Sequence, residues 1–156
     1  MKKICENLVK SLKKKKLTLA IAESCTGGLL SSSVTGISGS SKVFKLGLVS
    51  YSNKSKNKIL KVPNKIIQNH GAVSIQCCLS MVNNISKIGE SNISISVTGI
   101  AGPGGGSKNK PVGLVYIGLK KGNKVKAQKY IINNKGRSYI QKAIVRKSLK
   151  LIQELI

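Results

Sequence analysis

Two short apolar runs in this chain each stop abruptly at a cluster of glycines and small hydroxyl residues, and this constrains the fold more than any other feature. Leu17 to Ala22 ends at Glu23-Ser24-Cys25-Thr26-Gly27-Gly28, and Leu29 to Val34 then resumes with helical character. Ile93-Ser94-Ile95-Ser96-Val97 alternates and runs into Thr98-Gly99-Ile100-Ala101-Gly102-Pro103-Gly104-Gly105-Gly106. Runs this short, bounded by turn formers, read as buried strands. A strand, a small-residue turn and a helix form the repeating unit of open α/β sheets, and the turn at the strand end is where such sheets place their sites.

The rest of the chain fits the same scheme. Ile4, Leu8, Val9 and Leu12 fall at helical spacing, so residues 4 to 12 predict an amphipathic helix. Leu46 to Tyr51 predicts a second strand. Lys54 to Lys61 and Asn64 to Asn69 predict short helices separated by Pro63, and Ser74 caps a longer one through Ile88. Val112 to Leu119 and Lys124 to Ile132 predict strands joined across Gly122-Asn123, a hairpin-type turn. Ile140, Ile144, Val145, Leu149 and Ile152 mark a last helix over 138 to 155. Interleaved helices and strands with a late hairpin predict a three-layer α/β/α sandwich with a mixed, mainly parallel sheet. There is no repeat, linker or composition step, so residues 1–156 are read as one domain.

The formal charge is +24, from 28 Lys and Arg against four Glu, and it raises the question of nucleic acid. Three observations turn the reading away from it. Only Arg137 and Arg146 are arginines, whereas base and phosphate recognition favours the bidentate guanidinium. The lysines are scattered, with Lys13 to Lys16 the only run. One Phe, four Tyr and no Trp leave no stacking platform for single strands. Lys, Asn and Ile together exceed a third of the chain, and all three have A/T-rich codons, so the excess reads as compositional drift on a solvated surface. No apolar run approaches the ~20 residues of a membrane span, and Lys13 to Lys16 interrupts any signal-peptide pattern. The expectation is a cytoplasmic protein without a membrane partner.

Few residues are available for chemistry. There is no Asp, and His70 is the only His, so a Ser-His-Asp triad is impossible and a metal site of protein ligands is not expected. Cys5, Cys25, Cys77 and Cys78 lack metal spacing and read as buried thiols. His70 reads as a structural residue before the Ser74 helix. A serine nucleophile would need Lys or Tyr as its base. Ser24 follows a buried strand and precedes a helix N-terminus whose N–H groups could face an anion. Lys56, five residues beyond Tyr51, could serve as the base if burial lowers its pKa. From chemistry alone, the alternatives of an N-capping Ser24 and a surface Lys56 stay open.

Taken together, the motifs resemble the CinA C-terminal domain family. They are Ala22-Glu23-Ser24-Cys25-Thr26-Gly27-Gly28-Leu29-Leu30, Gly39-Ser40-Ser41, Val49-Ser50-Tyr51-Ser52-Asn53 with Lys56, His70-Gly71-Ala72-Val73-Ser74, Val97 to Gly106, and Lys110-Pro111-Val112-Gly113 with Val115-Tyr116-Ile117. The resemblance covers about residues 5 to 152. It implies an α/β/α sandwich and, in active members, metal-independent hydrolysis of nicotinamide mononucleotide to nicotinate mononucleotide and ammonia, in pyridine nucleotide recycling. It implies Ser24 as nucleophile, activated by Tyr51 and Lys56, and Thr26, Gly27, Gly28, Thr98, Gly99, Gly102 and Arg137 as substrate contacts. It implies no cofactor and no metal, a small-molecule nucleotide as partner, and a homo-oligomer. The longer family proteins carry a further N-terminal domain, so the chain resembles the stand-alone amidase form. One departure stands out. The family often has Gly-Asp-Arg before its last helix and a second Arg four residues on, where this chain has Lys135-Gly136-Arg137 and Gln141. That difference, and the inactive members of the family, give the alternative reading: a catalytically lapsed module that binds a nucleotide or a partner.

Overall fold

The computed structural model describes all 156 residues. Leu19–Glu23 forms β1, Phe44–Val49 β2, Ile93–Gly99 β3, Leu114–Lys121 β4 and Lys124–Ile131 β5. The helices are α1 (Lys2–Lys14), α2 (Leu29–Thr35), α3 (Asn53–Lys58), α4 (Asn64–His70), α5 (Ile75–Ile88) and α6 (Arg137–Leu155), with one 3-10 turn at Ser40–Lys42. The sheet order is β2-β1-β3-β4-β5. β1 pairs in parallel with β2 and β3, while β4 runs antiparallel to β3 and β5. This is the mixed, mainly parallel sheet that the sequence pattern predicts.

Alternation along β1 and β3 divides the core into two layers. Leu19 and Ile21 of β1, with Ile93, Ile95 and Val97 of β3, join the cluster that α1, α2 and α6 cover. Ala20 and Ala22 face the other side, against Leu60, Val62, Met81 and Ile85. Burial is complete along β1 because helices lie on both faces of a parallel strand. On α1, Cys5, Leu8, Val9 and Leu12 are all buried, and each apolar side chain of this size contributes about 1.5–3 kcal/mol when removed from water.

The α5 side of β3 and β4 is built from small residues so that the helix can sit close. Ser94, Ser96 and Thr98 face that side, and the Ser96 hydroxyl donates to the Cys78 carbonyl of α5 at 2.8 Å. Gly118 lies opposite Ser96 across the β3–β4 ladder. A Cβ at Gly118 would sit 2.5 Å from Ser96 Oγ and 3.2 Å from the Cys78 carbonyl oxygen.

Two segments differ from the sequence expectation. α3 ends at Lys58 instead of Lys61, because Lys61 takes a left-handed φ of 58° that no helix continues through. β2 begins two residues earlier than its apolar run and stops at Val49, leaving Ser50 and Tyr51 outside the strand. Ser74 does cap α5, its Oγ accepting from the Cys77 N–H.

Substituting Gly118→Val is expected to destabilise the fold by about 2 kcal/mol, because neither Ser96 nor the α5 backbone can retreat without opening the layer. Urea denaturation of the variant beside wild type reads this directly, and an unchanged midpoint would contradict the close-packing account.

Candidate active site

β1 ends in a carboxylate that folds back over the following turn. Glu23 is fully buried. Its Oε2 accepts from the Gly28 and Leu30 N–H groups at 3.1 and 3.0 Å, and its Oε1 from the Ser31 N–H and Ser31 hydroxyl at 2.8 and 2.6 Å. These are the orphan donors at the start of α2. The expectation that this helix N-terminus faces a bound anion is therefore corrected: the protein's own carboxylate occupies it, in the position that the helix dipole favours. Gly28 carries φ 95° here, a left-handed conformation that a side chain would resist.

With the turn closed in this way, Ser24 projects at the strand end, only 8% exposed. The next strand delivers its partner. Ser50 N–H donates to the Glu23 carbonyl at 2.8 Å, continuing the β1–β2 pairing one step beyond the ladder. Ser52 then opens α3 with a reciprocal cap, its Oγ accepting from the Ser55 N–H and its N–H donating to Ser55 Oγ, each at 3.0 Å. Lys56 follows within the first turn. Side chains of a helix lean toward its N-terminus, so Lys56 reaches back toward β1.

The Lys56 side chain is among the largest fully buried groups of the protein, at 1% exposure. Its Nζ lies 2.9 Å from Ser24 Oγ, 2.7 Å from the Ser50 carbonyl oxygen and 3.4 Å from the Tyr51 carbonyl oxygen. Two of these three neighbours only accept. A neutral amine that spends its two N–H groups on the carbonyls turns its lone pair toward the serine O–H. Burial lowers the Lys56 pKa below the ordinary lysine value, partly offset by the Cys77 and Cys25 thiols, whose ionisation would favour the ammonium.

Tyr51 departs from the arrangement expected for it. Its ring is 58% exposed, and its hydroxyl accepts from Arg137 Nη2 at 2.6 Å. Serine and lysine meet directly, while Tyr51 offers its backbone carbonyl to the lysine and its phenol to the guanidinium at the mouth. Ser52 caps α3 and Asn53 begins it, so Tyr51 stays outside the helix with its side chain largely exposed, while Lys56, a turn into it, is buried. Arg137 also donates from Nη1 to the Gly102 carbonyl at 2.8 Å.

These residues line a cleft of about 300 Å³ with Cys25, Asn53, Ala72, Val73, Thr98, Gly99, residues 100–102, Gly104 and Gly105. Of the substrate contacts expected from sequence, Thr98, Gly99, Gly102 and Arg137 lie on its wall. Thr26, Gly27 and Gly28 do not. Thr26 is buried in the turn with its hydroxyl unpartnered, Gly28 donates its N–H to Glu23, and Gly27 donates its N–H to the Ser24 carbonyl at 3.0 Å. Thr98 holds the wall by donating its hydroxyl to the Ala72 carbonyl at 2.8 Å. His70 ends α4 away from the cleft, its carbonyl accepting from Lys110 Nζ at 2.8 Å. Burial pushes the Cys25 thiol up to about 12, which leaves it protonated and a poor nucleophile. A larger groove of about 460 Å³ runs along α6 but contains no serine, cysteine or carboxylate. Asn53, Ala72 and Val73 also line the cleft; the sequence motifs contain all three, at Val49–Asn53 and His70–Ser74, but assign them no role.

The fold is that of a CinA-type domain. The CinA C-terminal domain model matches residues 1–156, so the chain belongs to that family. A relative from Thermoanaerobacter pseudethanolicus that bears the name competence-damage inducible protein is 45% identical over 151 residues, 97% of this chain and 36% of its own length. A CinA-like protein of Prochlorococcus marinus (strain MIT 9301) is 53% identical over 112 residues, 72% of this chain and 26% of its own length. The chain thus spans about a third of the length of the curated relatives it matches. Among solved structures, competence/damage inducible protein CihA from Agrobacterium tumefaciens superposes with a TM-score of 0.96 at 37% identity, covering 99% of this chain and 94% of that one. A CinA superfamily protein from Klebsiella pneumoniae gives 0.94 at 25% identity, covering 98% and 95%. No helix is long and apolar enough to cross a membrane.

The lowered Lys56 pKa has a measurable signature. Between its folded value and the unfolded value near ~10.4, the unfolded chain holds a proton that the folded chain lacks, so stability rises with pH across that window. A Lys56→Met variant has no such term. The stability of wild type relative to Lys56→Met is expected to climb as pH is raised from neutral toward about 10, read from paired urea midpoints. A difference that stays flat with pH would remove the buried-lysine account.

Proposed function

We propose that this chain hydrolyses the carboxamide of nicotinamide mononucleotide to nicotinate mononucleotide and ammonia, with Ser24 as nucleophile and Lys56 as general base. The observation that carries this reading is the direct 2.9 Å approach of Lys56 Nζ to Ser24 Oγ inside a buried site. The choice of nucleotide follows the family resemblance.

In the proposed reaction Lys56 takes the Ser24 proton as Oγ attacks the carboxamide carbon. The tetrahedral intermediate collapses as the lysine ammonium returns that proton to the departing nitrogen, and ammonia leaves. Water then attacks the acyl-enzyme ester, giving up a proton to Lys56, and the acid departs as Ser24 is restored. The buried Ala101 and Gly102 N–H groups have no acceptor within the protein, although both residues line the cleft. Unpartnered buried N–H groups are rare, and these two suit the developing oxyanion. Arg137, at the mouth, suits the nucleotide phosphate. The +24 charge would draw an anionic nucleotide toward the cleft.

A second reading, a nucleotide-binding module without turnover, follows from the departures from the family pattern at Lys135-Gly136-Arg137 and Gln141. It predicts that the nucleotide raises the melting temperature without ammonia release.

Purified protein is expected to release ammonia from nicotinamide mononucleotide, with kcat lowered by at least about 10³-fold in Ser24→Ala and in Lys56→Ala. Absence of ammonia from the wild-type reaction would overturn the amidase reading. The steering argument adds a second check: kcat/KM should fall as salt is raised while kcat changes little.

A further inference from the structure

The turn that carries Ser24 is gripped from outside by one side chain besides Lys56. Gln141, on the second turn of α6, donates from Nε2 to the Cys25 carbonyl at 2.8 Å across 116 residues of sequence. No other group donates to that carbonyl. Cys25 is buried, so without Gln141 its carbonyl loses its only partner within the protein. One turn earlier on the same helix, Arg137 holds the Gly102 carbonyl and the Tyr51 hydroxyl. Positions four apart share a helix face, so the start of α6 ties together the three loops that form the cleft.

We infer that Gln141 is a positioning residue for the nucleophile. By fixing the Cys25 carbonyl it sets the orientation of the Ser24–Cys25–Thr26 backbone, and with it the line from Ser24 Oγ to Lys56 Nζ. The task needs only an N–H donor at the reach of this side chain. Glu23 fixes the far end of the same turn through Gly28, Leu30 and Ser31, so the nucleophile is held from both directions.

This inference rests on the serine-nucleophile reading but not on the choice of nucleotide, and its test is independent of the substrate. A fluorophosphonate probe forms a bond from Ser24 Oγ to phosphorus as the P–F bond breaks, with fluoride leaving and Lys56 taking the serine proton. Labelling of Ser24 is followed by peptide mass spectrometry in wild type, Gln141→Leu, Gln141→Met and Gln141→Lys. Loss of the donor in the Leu and Met variants is expected to slow labelling about tenfold, and the Lys variant, which restores an N–H donor at similar reach, to recover most of it. Met keeps the length of the side chain and supplies the measurement if Leu fails to fold. Equal labelling rates in wild type and a folded Leu or Met variant would overturn the positioning role. So would slowing in all three variants alike, which marks a packing effect. If Ser24 of wild type is never labelled, the nucleophile reading falls and this role with it. If it is labelled but no ammonia comes from the nucleotide, the positioning role stands and only the proposed substrate falls.

Discussion

A buried carboxylate with no water to solvate it has to be satisfied by the chain itself, and Glu23 meets that demand with the first N–H groups of α2. Four donors converge on its two oxygens within eight residues of sequence. The interaction ends β1, starts α2 and gives the intervening turn a single shape. The cleft depends on it, because the turn is what presents Ser24 at the end of the strand. A charged group at this depth is costly unless it is paired this fully, so the closure tolerates little variation.

Once the α2 N-terminus is spent on Glu23, the site has to find its electropositive groups elsewhere. They come from three other directions. Lys56 enters from α3, the unpaired N–H groups of Ala101 and Gly102 from the β3–β4 connection, and Arg137 from the start of α6. The site is therefore assembled from segments distant in sequence, and its precision depends on long-range contacts such as Gln141 to Cys25 and Thr98 to Ala72. This arrangement also fits the buried lysine. Desolvation favours the neutral amine, and the two carbonyls beside it leave the lone pair for the serine.

The surface charge contrasts with this interior. Of 28 basic residues, only Lys56 and Arg137 line the cleft with Ser24. Lys56 is also the one lysine that is fully buried. The other lysines sit on solvated or partly solvated faces, where a long side chain can keep its ammonium wet while its stem covers apolar surface.

The sequence by itself determined the layers. Apolar runs of strand length, helical spacing around Leu8 and Ile144, the Ser74 cap and the Gly122 turn are local signals, and each acts within a few residues of its cause. It also narrowed the chemistry to Ser24 and Lys56 as candidates, because a chain without Asp and with one His leaves few others, while Arg137 was marked by the family resemblance. Tertiary structure decided which donors face which acceptors. Glu23 took the helix terminus expected to face an anion, which moved Thr26, Gly27 and Gly28 off the cleft wall. Tyr51 turned its phenol to Arg137, and Gln141 became the grip on the Ser24 turn. Hydrogen bonds of this kind join residues that periodicity cannot connect. Whether a polar side chain serves a ligand or its own backbone depends on burial, which exists only after the layers have packed.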